Sequence, residues 1–140
     1  MIIISVLSSI GVQTFSSLLH KNQQELAVDQ LIQALHYARS LAVSAQQNVV
    51  VRAISNDWSQ GEKVMIGDDV MHEFSLKKSI VHVVWRGSMK QKDGLYFTSL
   101  GSTEGQQGSF WISRDQQCVR LVLTHSGRVR KEVLNNMKSC

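Results

Sequence analysis

The chain has 140 residues, 43% of them hydrophobic, 19% charged and 6% aromatic, with a formal net charge of +4 and no proline. That length suits one domain with an appendage. The low hydrophobicity and extreme charge that mark a disordered chain are both missing.

Residues 2–19, IIISVLSSIGVQTFSSLL, carry no charged side chain, and the first ionisable groups are His20 and Lys21. The run is just long enough to cross a bilayer core, although Ser5, Ser8, Ser9, Gln13, Thr14, Ser16 and Ser17 dilute it. It lacks the basic lead-in and small-residue cleavage site of a secretory signal. From Leu26 on, Val28, Leu31, Ile32, Leu35, Ala38, Leu41, Ala42 and Ala45 recur at spacings of three and four, with Gln30, Gln33, His36, Arg39, Ser40 and Gln46 between them. This spacing predicts an amphipathic helix with one buried stripe. No glycine lies between residues 12 and 60, so one helix is expected over 2–46, about 67 Å long at a 1.5 Å rise per residue. A chain of this size cannot bury so long a helix, and its first half must meet lipid or other subunits.

After Asn48 the period changes. Val49–Ile54, Lys63–Ile66, His72–Leu76, Ile80–Arg86, Leu95–Thr98, Ser109–Ser113, Cys118–Thr124 and Arg128–Leu134 are short runs rich in β-branched and aromatic residues. Turn signals separate them, including Gly67-Asp-Asp, Lys92-Asp-Gly94, Gly101-Ser-Thr and Ser126-Gly127. They predict an antiparallel sheet wrapped over the helical stripe. In the last pair, Val119, Leu121 and Leu123 alternate with Arg120, Val122 and Thr124. A three-residue turn, His125-Ser126-Gly127, pairs Thr124 with Arg128 and Val122 with Arg130. Arg120, Arg128 and Arg130 then share one face.

The charge is localised. In residues 1–50, Lys21 and Arg39 cancel Glu25 and Asp29. The last 31 residues hold Arg114, Arg120, Arg128, Arg130, Lys131 and Lys138 against Asp115 and Glu132, a surplus of four that equals the whole net charge. Such a patch is either a footprint for a polyanion or a solvated, solubilising face. Cys118 and Cys140 form an even count, which fits an exported head in an oxidising compartment. Joined, they close a loop of about 22 residues worth roughly 3 kcal/mol; apart, they are two free thiols.

No catalytic constellation is present. The five histidines (His20, His36, His72, His82 and His125) and two cysteines lack zinc-ligand spacing. There is no phosphate loop, nucleophile elbow or H-E-x-x-H. Asp68, Asp69 and Glu73 fit an exposed turn better than a calcium loop, whose spacing they lack. Trp58, Trp85 and Trp111 each lie in or beside a strand and are expected in the core. Neither metal nor cofactor is implied, and the chain is not read as an enzyme.

Several stretches, taken in order, resemble a known family. Leu31-Ile-Gln-Ala-Leu-His-Tyr-Ala-Arg39-Ser-Leu-Ala42, Asn48-Val-Val-Val and Trp58-Ser-Gln-Gly61 are followed by Tyr96-Phe-Thr-Ser-Leu-Gly101, Cys118-Val-Arg-Leu-Val-Leu and Gly127-Arg-Val-Arg130. Together they are similar to the FimT/GspH group, which comprises minor pilins of type IV pili and the H pseudopilin of type II secretion. The resemblance implies an α+β, pilin-like fold with a long N-terminal helix packed against an antiparallel β-sheet head. Residues 1–19 become the membrane and filament half of the helix, 20–47 its amphipathic half, and 48–140 a β-rich periplasmic head. The implied location is the inner membrane, single-pass, with incorporation in a pilus or pseudopilus beside other pilins or pseudopilins.

The family begins with a basic leader and an F-T-L-I-E-like run that a prepilin peptidase cleaves and methylates. Against that pattern the apolar run here enters about nine residues into the mature helix, without the glutamate that guides assembly, which implies either a misplaced start or a trimmed form. Gln13 stands where many relatives carry a helix-kinking proline.

Within the type IV pilus branch, Gly127-Arg128-Val129-Arg130 resembles a G-R-x-R DNA-binding motif of minor pilins used in natural transformation. Two guanidinium groups two residues apart on a strand stand roughly 7 Å apart and can grip successive phosphates. Gly127 permits the tight turn, and Lys131, Arg120 and Lys138 widen the expected footprint. The competing roles for Arg128 and Arg130 are solvation of an edge strand and pairing with Glu132. The competing function is a structural pseudopilin of type II secretion.

Overall fold

A computed structural model describes residues 3–76, 81–88, 94–135, 138 and 140, with side chains from residue 22 onward. The side chains of the expected membrane half, 1–19, fall outside that description, as do Ile80 and the Lys92-Asp93 part of a predicted turn. Among the described residues no helix is long and apolar enough to cross a membrane.

Helix α1 covers Ile3–Ala45, 43 residues, close to the span expected from the spacing. It stops where Gln46 turns left-handed at φ 54 and the Gln47 N–H donates to the Ala42 carbonyl at 3.3 Å. The buried stripe is Ala27, Val28, Leu31, Ala34, Leu35, Ala38 and Ala42, with Ile32 and Leu41 half-buried on its flanks. Four alanines in that stripe let the strands approach the helix backbone closely.

Eight strands follow: β1 (Val49–Ala53), β2 (Gly61–Ile66), β3 (Asp69–Ser75), β4 (His82–Gly87), β5 (Leu95–Phe97), β6 (Gly108–Arg114), β7 (Gln117–Leu123) and β8 (Val129–Leu134). All pairings are antiparallel. The strands form two four-stranded sheets, β3-β2-β1-β5 and β4-β6-β7-β8, where the sequence pattern predicts one. The break lies at β5, which pairs with β1 on one side. On its other side the Gln106 side chain takes the place of a strand. Its Oε1 accepts from the Tyr96 N–H at 2.8 Å, and its Nε2 donates to the Gly94 carbonyl at 3.3 Å. With its edge groups satisfied, β5 has no need of another strand.

One core joins both sheets to the helix. Val49, Val51, Val64, Leu95 and Phe97 come from the first sheet, and Val83, Trp85, Phe110, Ile112, Leu121 and Leu123 from the second. Burying each such side chain is worth roughly 1.5–3 kcal/mol. Phe110 is the centre of an aromatic cluster, 4.9 Å from Trp58 and 4.7 Å from Trp85 between ring centroids. Trp58 and Trp85 are thus core residues. Trp111 is not: it sits half-buried on the outer face of the second sheet, one residue out of phase with Phe110 and Ile112.

Two polar side chains enter this apolar interior. Gln24 of α1 is buried and donates to the carbonyls of Ile112 and Gln117 at 3.1 and 3.3 Å, tying helix to sheet. Glu62 on β2 is 1% exposed. Burial pushes its carboxyl from 4.5 up to about 8, and the Gln30 side chain pulls the other way.

Candidate functional site

The β7–β8 hairpin carries the basic residues, and its register follows from its turn. Thr124 and Arg128 close it, with the Thr124 N–H donating to the Arg128 carbonyl at 3.0 Å and the Gly127 N–H to the Thr124 carbonyl at 2.9 Å. Val122 then faces Arg130, and Arg120 faces Glu132, the register that the three-residue turn predicts. Strand alternation turns Arg120 and Arg130 outward. Val129, between the two arginines, packs against the core.

The turn is fixed from below. Gly127 has φ +82, and a Cβ there would collide with the Gly101 carbonyl oxygen. That same carbonyl accepts from Arg39 Nε of α1 at 3.1 Å. Thr103, buried in the loop before β6, adds a donor: its Oγ1 reaches the His125 carbonyl at 3.1 Å. Helix, loop and hairpin tip are therefore linked through a few backbone carbonyls.

The predicted residues separate into three environments. Arg128 is exposed, and among the described residues it makes no ion pair. Arg130 and Arg120 share one acid: Glu132 lies 2.8 Å from Arg130 Nη2 and 3.5 Å from Arg120 Nη1. Lys131 pairs with buried Leu121, so it stands on the opposite face from the arginines. There it lines a groove of about 430 Å³ with Gln24, Glu25 and Val133. Lys138 is exposed in the tail beyond β8.

Cys118 and Cys140 are joined in a disulfide, Cα to Cα 6.1 Å. The bridge brings the tail back onto the outer face, where Arg86 Nη2 donates to the Cys140 main-chain oxygen at 2.7 Å. The sequence pattern did not single out Arg86. Its guanidinium lies 4.9 Å from the Trp111 ring centroid, and that of Arg120 lies 5.1 Å from the same ring. Both contacts are in the cation–π range. The face can thus present several held guanidinium groups to an anion. Among the described residues no group of His, Cys, Asp and Glu is arranged to hold a metal.

Comparison with known proteins agrees with this architecture. The structure is similar to that of the type IV minor pilin FimU of Pseudomonas aeruginosa in two crystal forms. The TM-scores are 0.66 and 0.70 at 19% sequence identity, over 80% and 83% of this chain and 98% and 96% of that one. At that identity the likeness shows the pilin fold. No curated protein matches the chain. The family model described as type II transport protein GspH matches residues 27–127, from the buried helical stripe to the hairpin turn. The chain therefore belongs to the GspH family.

Proposed function

We propose that this chain is a minor pilin of a type IV pilus that binds DNA through its C-terminal hairpin during uptake in natural transformation. The observation that carries this reading is the placement of Arg128 and Arg130. Arg128 is exposed where the turn ends and Arg130 is exposed on β8, and the turn is anchored to α1 and the 101–103 loop. Guanidinium groups presented this way suit backbone phosphates, which give affinity without sequence preference. On this reading the first half of α1 packs with other pilins and in the inner membrane, and the β-rich head is periplasmic. The disulfide fits an oxidising compartment of that kind.

Titration of a labelled duplex with the purified full chain tests this. Binding is expected for any duplex sequence and weakens as salt rises. The Arg128→Ala, Arg130→Ala double variant lowers both the affinity and the slope of log K against log salt, by about one to two in the slope. Equal binding by parent and double variant removes the arginines from the interface.

A second reading is favoured by the matching family model, whose description is a type II transport protein. The chain is then a structural pseudopilin of a secretion system, and the basic hairpin contacts protein. That reading expects no DNA affinity in the same titration even at low salt.

A further inference from the structure

The outer face of the second sheet holds more cations than the hairpin alone. Arg86 on β4 pairs with Ser109 on β6, Ser109 with Val122 on β7, and Val122 with Arg130 on β8. These four residues form one cross-strand row, so the two arginines stand about 14 Å apart at three strand spacings. The neighbouring row is Val84, Trp111, Arg120 and Glu132. Arg128 lies beside the first row, two residues nearer the turn and opposite Thr124. Among the outward residues of these strands Glu132 is the one acid, against the guanidinium groups of Arg86, Arg120, Arg128 and Arg130.

Trp111 organises this surface. It lies between β4 and β7, and the guanidinium groups of Arg86 and Arg120 approach its ring from those two strands. Arg120 is further held by its Nε, which donates to Ser109 Oγ at 3.0 Å. Arg86 uses one Nη2 donor on the Cys140 oxygen. A guanidinium has five N–H donors, so each retains donors for a phosphate. Side chains already held in place lose less conformational entropy when a ligand arrives.

We infer that the DNA-contacting surface extends from the hairpin across the whole sheet to Arg86, with Trp111 as the positioning residue that holds Arg86 and Arg120 toward the phosphate backbone. The inference rests on the DNA-binding reading above. The roughly 14 Å between Arg130 and Arg86 is about twice the roughly 7 Å step between successive phosphates, so the row reaches from one phosphate to the next but one along a strand. A contact zone of this size spans the flat face of a sheet rather than the edge of one hairpin.

The experiment is a salt-dependent titration of one labelled duplex with the full-length parent, Arg86→Gln, Arg86→Lys, Trp111→Leu, Trp111→Phe and the Arg128→Ala, Arg130→Ala double variant. Thermal melts establish that each variant is folded. Arg86→Gln is expected to weaken binding about three- to tenfold and to lower the salt slope by about one. Arg86→Lys keeps the charge and the slope. Trp111→Leu weakens binding to a similar degree, and Trp111→Phe, which keeps a π face, restores most of it. Parent-like affinity and slope in Arg86→Gln, beside lost binding in the double variant, overturn the extension and leave the hairpin reading standing. No binding by the parent overturns both.

Discussion

Gly127 and Gly101 meet so closely that the Gly101 carbonyl oxygen occupies the space where a Gly127 Cβ would stand. Gly127 is also left-handed at φ +82, a conformation that costs an L residue about 1–2 kcal/mol. Collision and strain act together, and the neighbour is backbone that Arg39 holds through the same oxygen. Gly127→Ala is therefore expected to destabilise the chain by about 2–4 kcal/mol. Chemical denaturation of parent and variant measures it. A variant that unfolds at the parent's midpoint means that the turn relaxes freely and does not fix the arginines.

Glu132 sits between two of the proposed phosphate contacts. It pairs with Arg130 at 2.8 Å and Arg120 at 3.5 Å, and the Arg130 side chain is 68% exposed. Exposed pairs of this kind contribute about 0–1 kcal/mol to stability, so Glu132→Gln leaves the melt nearly unchanged. Its larger effect falls on DNA, because an arriving phosphate must compete with the carboxylate for both guanidinium groups. Removing that negative charge raises affinity about three- to tenfold at low salt, with the gain shrinking as salt rises. Fluorescence anisotropy with a labelled duplex reads this directly. Weaker binding by Glu132→Gln assigns the carboxylate the opposite role, that of holding the arginines in register.

The hairpin was legible in the sequence because its signals are local. Val119, Leu121 and Leu123 alternate with polar partners, and Ser126-Gly127 marks the turn, so the register follows. Trp111 was not legible in the same way. Phe110, Trp111 and Ile112 are consecutive and apolar, which hides the two-residue period that tells one face from the other. Arg86 is 34 residues from Arg120 in the chain, and only the β4-β6-β7 pairing brings them to one ring. Lys131 was grouped with Arg128 and Arg130 by nearness in sequence, yet an odd step along a strand reverses the face. The Gln106 side chain satisfies the free edge of β5, where the first sheet ends, a contact that no propensity encodes.

The buried Glu62 carboxyl makes the stability of this fold depend on pH. Its value rises from 4.5 to about 8 because burial disfavours the charged form. Between those limits the folded chain keeps a proton that the unfolded chain has lost. The Glu62 contribution to stability is then fullest below about pH 4.5, falls as the pH rises, and levels off above about 8. At pH 7 the loss relative to pH 4.5 amounts to about 3 kcal/mol, at 1.36 kcal/mol for each pH unit crossed. Gln has nearly the same shape and stays neutral, so Glu62→Gln removes this dependence. Denaturation at pH 5, 6.5 and 8 is expected to give similar stabilities for parent and variant at the lowest pH and a growing advantage for the variant above it. The other titrating groups are common to both proteins and cancel in the difference. Parallel curves for the two proteins mean that Glu62 is charged in the folded state, with water or a rearranged Gln30 reaching its carboxylate beneath α1.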